Sequence, residues 1–400
     1  MLPDGVSANA IAPARDERID ALRGFALFGI LLINIQSFLY GATNPIGYVG
    51  PEGTAIDRLA YFVTAALIST KFMPLFAMLF GAGFSLLYSK LGALTRDPKR
   101  IYRRRMAFLF VFGVLHGLLF YFGDITHMYA LAGLVLLAYV DRDARGVGRA
   151  AILWWIGASV FSLTTVLLLG RVAPLPQELA PLVEANFMGF VTQGYIGQLP
   201  LRADEFVSVV WGNLFGLPLT VALMLTGMWA HRAGLLSDRN ARGWRIAAAI
   251  GSLIGLPAAI WYGDLALTEM DANGLGATTI NATVPQMLSV TLAFLYAAIF
   301  VRYAPAAIVR LLAPAGRMPL TNYFLQSVAM GVLLSGWGLA LGARLGYWQT
   351  TALAVVIFAA QVLLSSLWLM KNKQGPLEAA WRAWTYRGLP RHPPAVRTAG

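Results

Sequence analysis

Apolar residues fall in long runs that begin and end at charged or polar segments. Ten of these runs approach the roughly 20 residues that a membrane-crossing helix needs. They cover residues 22–40, 72–90, 106–122, 125–140, 150–170, 206–231, 245–262, 284–303, 319–341 and 350–370. The alternating ten-residue pattern of a membrane β-barrel is absent. The pattern therefore predicts an all-α membrane bundle of about ten transmembrane helices.

Shorter stretches predict elements that do not cross. Residues 56–70 are too few to span and begin with a charged pair, so we expect a helix lying on the membrane surface. Near the C-terminus, Leu377, Trp381 and Trp384 share one helical face, which is typical of an interfacial helix. Proline-rich residues 391–400 predict a disordered tail. Two long acidic connections, 171–205 and 263–283, either cover an outward opening or follow from the charge distribution alone.

Composition agrees with a membrane protein. Hydrophobic residues make up 58% of the 400 residues and charged residues 12%, and the mean hydropathy is +0.63. Soluble domains carry about 25% charged residues. No cysteine is present, which excludes disulfides, thiolate nucleophiles and cysteine metal sites. We expect a single transmembrane domain over residues 1–390, with no separate soluble domain.

The net charge of +12 is explained by the side of the membrane on which basic residues lie. With ten spans and both termini in the cytoplasm, almost every Lys and Arg falls on the cytoplasmic side, as the positive-inside rule requires. The exceptions are Arg58, Lys71, Arg171, Arg202 and Arg344. Counting 56–70 as a further span would place the basic segment 90–105 on the wrong side. The charge therefore requires no nucleic-acid partner.

The first helix carries polar residues that a simple anchor does not need. Asp20 and Arg23 are three residues apart and can meet on one helical face. Asn34 follows Arg23 by 11 residues, a rotation that returns it to nearly the same face. An intramembrane amide can bond a neighbouring helix or contact a substrate. Both interpretations of Asn34 stay open.

The third helix places His116 near the middle of the bilayer, roughly 16 Å along the helix from Arg105. Asp124 follows at the outer end, with His127 and Tyr129 on the next turn. Histidine suits proton transfer near neutral pH, and a buried histidine also serves as a structural hydrogen-bonding group. Gly113 and Gly117 let a neighbouring helix approach closely and frame the imidazole.

Four further residues are candidates for substrate binding. Lys71 stands at the predicted outer face, where snorkelling also accounts for it. Arg104 belongs to a dense cytoplasmic cluster that suits a polyphosphate such as coenzyme A or, equally, anionic lipid headgroups. Asn322 and Gln326 share a face of the ninth helix and either line a polar cavity or join helices. No zinc spacing, Walker loop or nucleophile elbow is present, so we expect no metal.

Several of these segments also carry a family resemblance. They are residues 19–30, 80–84, His116 with Gly123, Asp124 and Ile125, and residues 316–327 and 375–386. Together they resemble the YeiB family of bacterial membrane proteins, whose C-terminal half is the domain of unknown function DUF418. The resemblance implies a YeiB-like part over 1–230, a DUF418-like part over 231–390, and a multi-pass location in the bacterial cytoplasmic (inner) membrane.

The Asp-x-x-Arg-Gly block with Asn34 is similar to the wider transmembrane acyltransferase superfamily, which includes acyltransferase-3 and heparan-α-glucosaminide N-acetyltransferase proteins. That resemblance implies a cytosolic acyl-CoA donor, acetyl-CoA in the first place, and a functional asparagine at the position of Asn34. A catalytic histidine follows in the next loop of the lysosomal enzyme. Here residues 41–45 contain no histidine. Either His116 supplies the base from another helix or the chemistry differs.

We therefore expect a membrane-embedded acyltransferase. Its catalytic residues are His116, Asp124 and Asn34, and its substrate-binding residues are Asp20, Arg23, Lys71, Arg104, Asn322 and Gln326. Its partners are membrane lipids, acyl-CoA and an acceptor that the sequence does not identify, and a homodimer is one open possibility. The alternative is a transporter or a protein that binds a lipid or small solute without covalent chemistry.

Overall fold

The fold is a bundle of helices, seen in a computed structural model that describes residues 16–50, 52–169, 176–273 and 280–387. Within these ranges no strand forms. The sixteen α-helices are α1 Glu17–Tyr40, α2 Ala55–Val63, α3 Phe72–Leu94, α4 Pro98–Leu119, α5 Thr126–Val135, α6 Ala144–Leu169, α7 Pro176–Thr192, α8 Gln198–Arg232, α9 Arg242–Ile250, α10 Leu256–Asn273, α11 Ile280–Ser289, α12 Leu292–Tyr303, α13 Ala306–Arg317, α14 Pro319–Leu334, α15 Tyr347–Lys371 and α16 Pro376–Thr385. The predicted tail 391–400 and Arg171 lie outside the described residues.

Seven helical segments are long and apolar enough to cross a membrane. They are Glu17–Tyr40, Ala55–Gly92, Ala144–Leu168, Gln198–Arg232, Arg242–Met270, Ala282–Tyr303 and Tyr347–Lys371. Each overlaps one of the ten predicted runs. The other three runs, 106–122, 125–140 and 319–341, overlap helices α4, α5 and α14. Of these, α5 has 10 residues and α14 has 16, while α4 begins with a strongly basic turn.

Two predicted loops are largely helical, so their predicted extents were wrong. The stretch 171–205 contains α7 and the first two turns of α8, and most of 263–283 continues α10 or begins α11. The bounds of both loops were the gaps between predicted apolar runs, but a helix can continue through less apolar residues beyond such a run. The stretch 56–70 forms α2 and a π turn, and the chain then bends at Thr70, where φ is +63°.

Helix α1 lies at the centre of the bundle. In its most apolar window 83% of the residues are buried, against 11% for α6 at the periphery. Close helix contacts depend on glycine, because a Cβ on Gly24 or Gly316 would collide with the facing backbone where α1 crosses α13. Gly81 and Gly227 play the same part between α3 and α8. The first helix therefore contacts many elements at once, and its polar residues face protein.

The C-terminal helix α16 forms as predicted and docks on two elements of the bundle. The Glu378 carboxylate accepts hydrogen bonds from the backbone N–H groups of Leu320 and Thr321, at 2.7 and 3.1 Å, and from the Thr321 hydroxyl at 2.6 Å. Glu378 thus caps the start of α14. Trp381 is buried against α4 and donates to the Arg105 carbonyl at 2.9 Å. One of the predicted interfacial tryptophans therefore packs inside the protein.

Candidate functional site

His116 is held between two polar side chains in the interior of the bundle. Its Nδ1 lies 2.8 Å from Asp124 Oδ2, and its Nε2 lies 2.9 Å from the Ser327 hydroxyl. The side chains of His116 and Asp124 are fully buried, and Ser327 is 2% exposed. An arrangement of hydroxyl, imidazole and carboxylate in this order is the one that activates a serine or a bound alcohol for acyl transfer.

The turn between α4 and α5 positions Asp124. Its carboxylate accepts from the Thr126 N–H at 2.8 Å, the Thr126 hydroxyl at 3.0 Å and the His127 N–H at 3.2 Å, so it caps α5. A Cβ at Gly113 would overlap this turn, and one at Gly117 would overlap the Phe206 ring. The predicted close approach at both glycines is confirmed.

The hydrogen-bond network assigns the tautomer of both histidines. Asp124 is a carboxylate without an Arg or Lys partner among the described residues, so it accepts N–H donors from the rings of His116 and His127. The Asn213 amide lies 3.4 Å from Nε2 of His127, which fits a lone pair there. By the same assignment, Nε2 of His116 carries a lone pair and accepts the Ser327 proton.

Aromatic rings surround the imidazole. Phe112 stacks on His116 with 5.6 Å between ring centroids, and Tyr323, Phe324 and Phe120 lie at 5.0, 6.0 and 6.3 Å. These rings exclude water from His116. Electrostatic interactions are stronger in such a low-dielectric site than in solvent.

A cavity of about 600 Å³ lies between α1, α3, α4, α5, α13, α14 and α16. One end, here called the basic end, carries five cationic side chains and one carboxylate: Arg23, Lys90, Arg105, Arg317, Arg382 and Glu378. The walls are mainly apolar, and the inner end contains Ile125, Thr126 and Tyr129. The cavity therefore combines a cationic entrance with an apolar interior.

Two residues connect this cavity to the histidine. Thr126 lines the cavity and bonds Asp124, and Tyr323 lines the cavity and lies against the His116 ring. His116, Asp124 and Ser327 are not among the lining residues. The Tyr323 side chain thus separates the inner end of the cavity from His116.

The basic cluster faces the cavity through Arg105 rather than through the predicted Arg104. The Arg105 guanidinium stacks 3.5 Å from the Trp381 ring centre at the basic end. Arg104 is on another face of α4 and donates to the Arg387 carbonyl at 2.8 Å. Arg23 does line the cavity and pairs with buried Asp20 at 2.8 Å. Of the two neighbouring arginines, Arg105 and not the predicted Arg104 therefore lines this cavity.

Asn34 and Lys71 are buried away from the cavity. Among the hydrogen bonds of the described residues, none joins the Asn34 side chain to His116, Asp124 or Ser327. Asn34 lies one turn before Ser37, whose hydroxyl contacts the Tyr121 hydroxyl at 2.5 Å. Lys71 is 0% exposed and donates to the Ala65 carbonyl at 3.1 Å. It does not snorkel to a surface, which corrects that expectation.

Asn322 and Gln326 join helices. Asn322 donates to the Ala315 carbonyl at 3.0 Å and to Ser365 at 2.9 Å, while Gln326 donates to Gln361 at 3.1 Å. Neither residue lines the cavity. Of the two interpretations of this polar face, the structure supports helix packing.

Two residues that sequence reasoning missed complete the site. Ser327 lies on α14, 211 positions from the histidine it contacts, and no local pattern marks that contact. Arg105 did carry a signal, because it precedes His116 by 11 residues and so shares its helical face. No group of three or more His, Cys, Asp or Glu side chains able to hold a metal ion occurs in the described part of the chain.

The fold and the site define a helical membrane protein with a buried hydroxyl, imidazole and carboxylate cluster beside a basic cavity. The family model "Protein of unknown function (DUF418)" matches residues 230–388. "Uncharacterized protein YeiB" of Escherichia coli (strain K12) is 30% identical, over 93% of this chain and 97% of that protein. The chain belongs to the YeiB family.

Two relatives from bacilli match over a similar extent. An uncharacterized 39.9 kDa protein from the amylase 3′ region of Bacillus acidopullulyticus is 28% identical, over 93% of this chain and 95% of the relative. "Uncharacterized protein YxaH" of Bacillus subtilis (strain 168) is 26% identical, over 92% of this chain and 93% of the relative. The similarity to all three proteins therefore extends over both halves of the chain.

Proposed function

We propose that the protein is a membrane-embedded acyltransferase that moves an acyl group from acyl-CoA to an acceptor at or across the membrane. The observation that carries the proposal is the position of His116, which is bonded to Asp124 on one side and to a hydroxyl on the other, next to the inner end of a basic cavity. Acyl transfer needs a general base so oriented.

The cavity suits a donor with a polyanionic head and a long neutral arm. Arg23, Arg105 and Arg317 at the basic end provide charge-assisted hydrogen bonds for phosphates. From Arg105 to His116, α4 rises about 16 Å, a distance that an extended thioester arm can follow through the apolar part. Acetyl-CoA is the simplest such donor.

The orientation of the protein forms part of the proposal. Basic residues gather at the cavity entrance and in the other segments predicted to face the cytoplasm. This distribution supports ten spans in the bacterial cytoplasmic membrane, with both termini on the cytoplasmic side. Cytosolic acyl-CoA then reaches the cavity directly. The acceptor would come to His116 from the opposite side.

In the transfer, Nε2 of His116 takes the proton of an acceptor hydroxyl or amine. The acceptor attacks the thioester carbonyl, the C–S bond breaks, and the thiolate recovers the proton from His116. Asp124 stabilises the imidazolium between these steps. Asn34 remains a candidate donor to the carbonyl oxygen, where negative charge develops.

One observation favours the alternative of a transporter or lipid-binding protein. A cationic entrance with apolar walls also suits a phospholipid or another amphiphilic anion, held by charge at its head and by the hydrophobic effect along its chain. In that case His116 and Asp124 would carry protons along a pathway, and no covalent bond would change.

Reconstituted vesicles distinguish the two functions. Purified protein in liposomes receives acetyl-labelled acetyl-CoA outside, together with a lipid and glycan extract of bacterial envelopes as acceptor. Acyl transfer predicts release of free CoA thiol and label in an extract component. Label that enters the vesicles or stays bound, with thiol release equal to that of protein-free liposomes, would contradict the acyltransferase and support the alternative.

A further inference from the structure

Ser327 completes a nucleophile, base and carboxylate series that a direct transfer would not need. Its Oγ lies 2.9 Å from Nε2 of His116, and Nδ1 of the same ring lies 2.8 Å from Asp124. Resting on the proposed acyltransferase function, we infer that Ser327 is a catalytic nucleophile that carries the acyl group as an ester between donor and acceptor.

The geometry favours a covalent route because the serine already occupies the position of the attacking hydroxyl. With Nδ1–H directed to Asp124, the free lone pair on Nε2 points to the Ser327 hydroxyl, at the distance expected for proton transfer. Ser327 Oγ also lies 3.5 Å from the Tyr323 carbonyl of its own helix, so its contact with the imidazole is the shorter of the two.

The first half-reaction consumes the donor. His116 Nε2 takes the Ser327 proton while Oγ bonds to the thioester carbonyl carbon. The tetrahedral intermediate collapses, the C–S bond breaks, and the leaving CoA thiolate takes the proton from His116. The products are free CoA thiol and an O-acyl ester on Ser327.

The second half-reaction consumes the acceptor. His116 takes a proton from the acceptor hydroxyl or amine, the acceptor attacks the ester carbonyl, and Ser327 leaves and recovers the proton. Because the donor and the acceptor react with Ser327 one after the other, they need not occupy the buried site together, which also suits a membrane enzyme. Tyr323 must turn aside for the thioester to reach Oγ, because it lies between the cavity and His116.

Labelled acetyl-CoA without acceptor tests this step. Wild type is expected to release a burst of CoA thiol equimolar with the protein and to retain label on Ser327, located by peptide mass spectrometry. Ser327→Ala should lose the label and slow thiol release on the order of 100-fold or more. Ser366→Ala is the matched control, because within the described ranges that hydroxyl bonds only the Val362 carbonyl of its own helix.

Ser327→Cys keeps the test decisive if the alanine variant fails to fold. A thioester at this position is cleaved by neutral hydroxylamine, whereas the wild-type ester resists it, so a change in lability locates the label at residue 327. If wild type transfers acetyl groups and Ser327→Ala does so at a similar rate, the covalent step is wrong and the proposed function stands. If wild type releases thiol only when the envelope extract is present, the covalent step is likewise wrong and the proposed function stands. If it releases no thiol even with the extract, both are wrong.

Discussion

Asp124 accepts a 2.8 Å hydrogen bond from His116, although His116 is on α4 and Asp124 lies eight positions later, in the turn before α5. The turn 120–125 makes this possible by returning the chain against α4 at Gly113. The same carboxylate caps α5. Asp124 therefore has a structural role and an electrostatic role, and the two can be separated by substitution.

Asp124→Asn is expected to keep the fold and lose activity. Asparagine is as good a helix cap as aspartate, so α5 retains its start. The neutral amide cannot stabilise an imidazolium, and thiol release from acetyl-CoA should fall about 100-fold or more. Asp204→Asn, which alters an exposed carboxylate on α8, is the control. Activity of Asp124→Asn equal to that of wild type would remove Asp124 from the mechanism.

Arg105→Gln should weaken donor binding without changing the chemical step. Loss of one charge-assisted hydrogen bond to a phosphate costs about 1.5–3 kcal/mol, which is a rise in KM for acetyl-CoA of at least about tenfold at constant kcat. Arg104→Gln removes the same charge from the face that bonds Arg387 and should leave KM near the wild-type value. Equal effects of the two variants on KM would mean that the basic cluster attracts acetyl-CoA only through its summed electrostatic field.

Gly81→Ala should destabilise the bundle. A methyl group there would collide with the backbone of Met224 on α8, and neither helix can move without disturbing the reciprocal contact of Gly227 with Met78. Overpacking of this kind costs about 1–3 kcal/mol. Thermal unfolding in detergent should show a lower midpoint, whereas Gly92→Ala, with open space around it, should not. An unchanged midpoint for Gly81→Ala would contradict the close crossing of α3 and α8.

Glu378→Ala should loosen α16 from the basic end of the cavity. The carboxylate caps α14, and comparable caps contribute about 0.5–2 kcal/mol. Limited proteolysis should cut the segment after α15 several times faster than in wild type. Since Trp381 and Arg382 line the cavity, acetyl-CoA binding should weaken as well. Unchanged proteolysis would show that other contacts hold α16 in place.

Much of this fold could be predicted because membrane-crossing helices are visible in the sequence as long runs of hydrophobic residues. The start of α14 at Pro319 and the C-terminal helix are confirmed, and so is the close packing at Gly113 and Gly117. The pairing of His116 with Asp124 was also accessible, because Asp124 follows His116 by only eight residues, just beyond the outer end of the same predicted span.

The rest depended on contacts between distant segments. Ser327 meets His116 only after α14 packs beside α4, and Lys71 is buried by Ala65 and Tyr262 instead of reaching a surface. The cluster Arg100 to Arg105 marks one end of a helix but does not by itself say which arginine faces inward. Helical rotation from His116 would have selected Arg105.

The most direct test of the account is the rate of CoA release from acetyl-CoA by purified wild-type protein and by His116→Ala, with envelope extract as acceptor. The account predicts a loss of about 100-fold or more in His116→Ala. His231→Ala, which removes a half-buried imidazole bonded to Ser85, should keep the wild-type rate. Undiminished CoA release by a folded His116→Ala protein would contradict the proposed base and the site built around it.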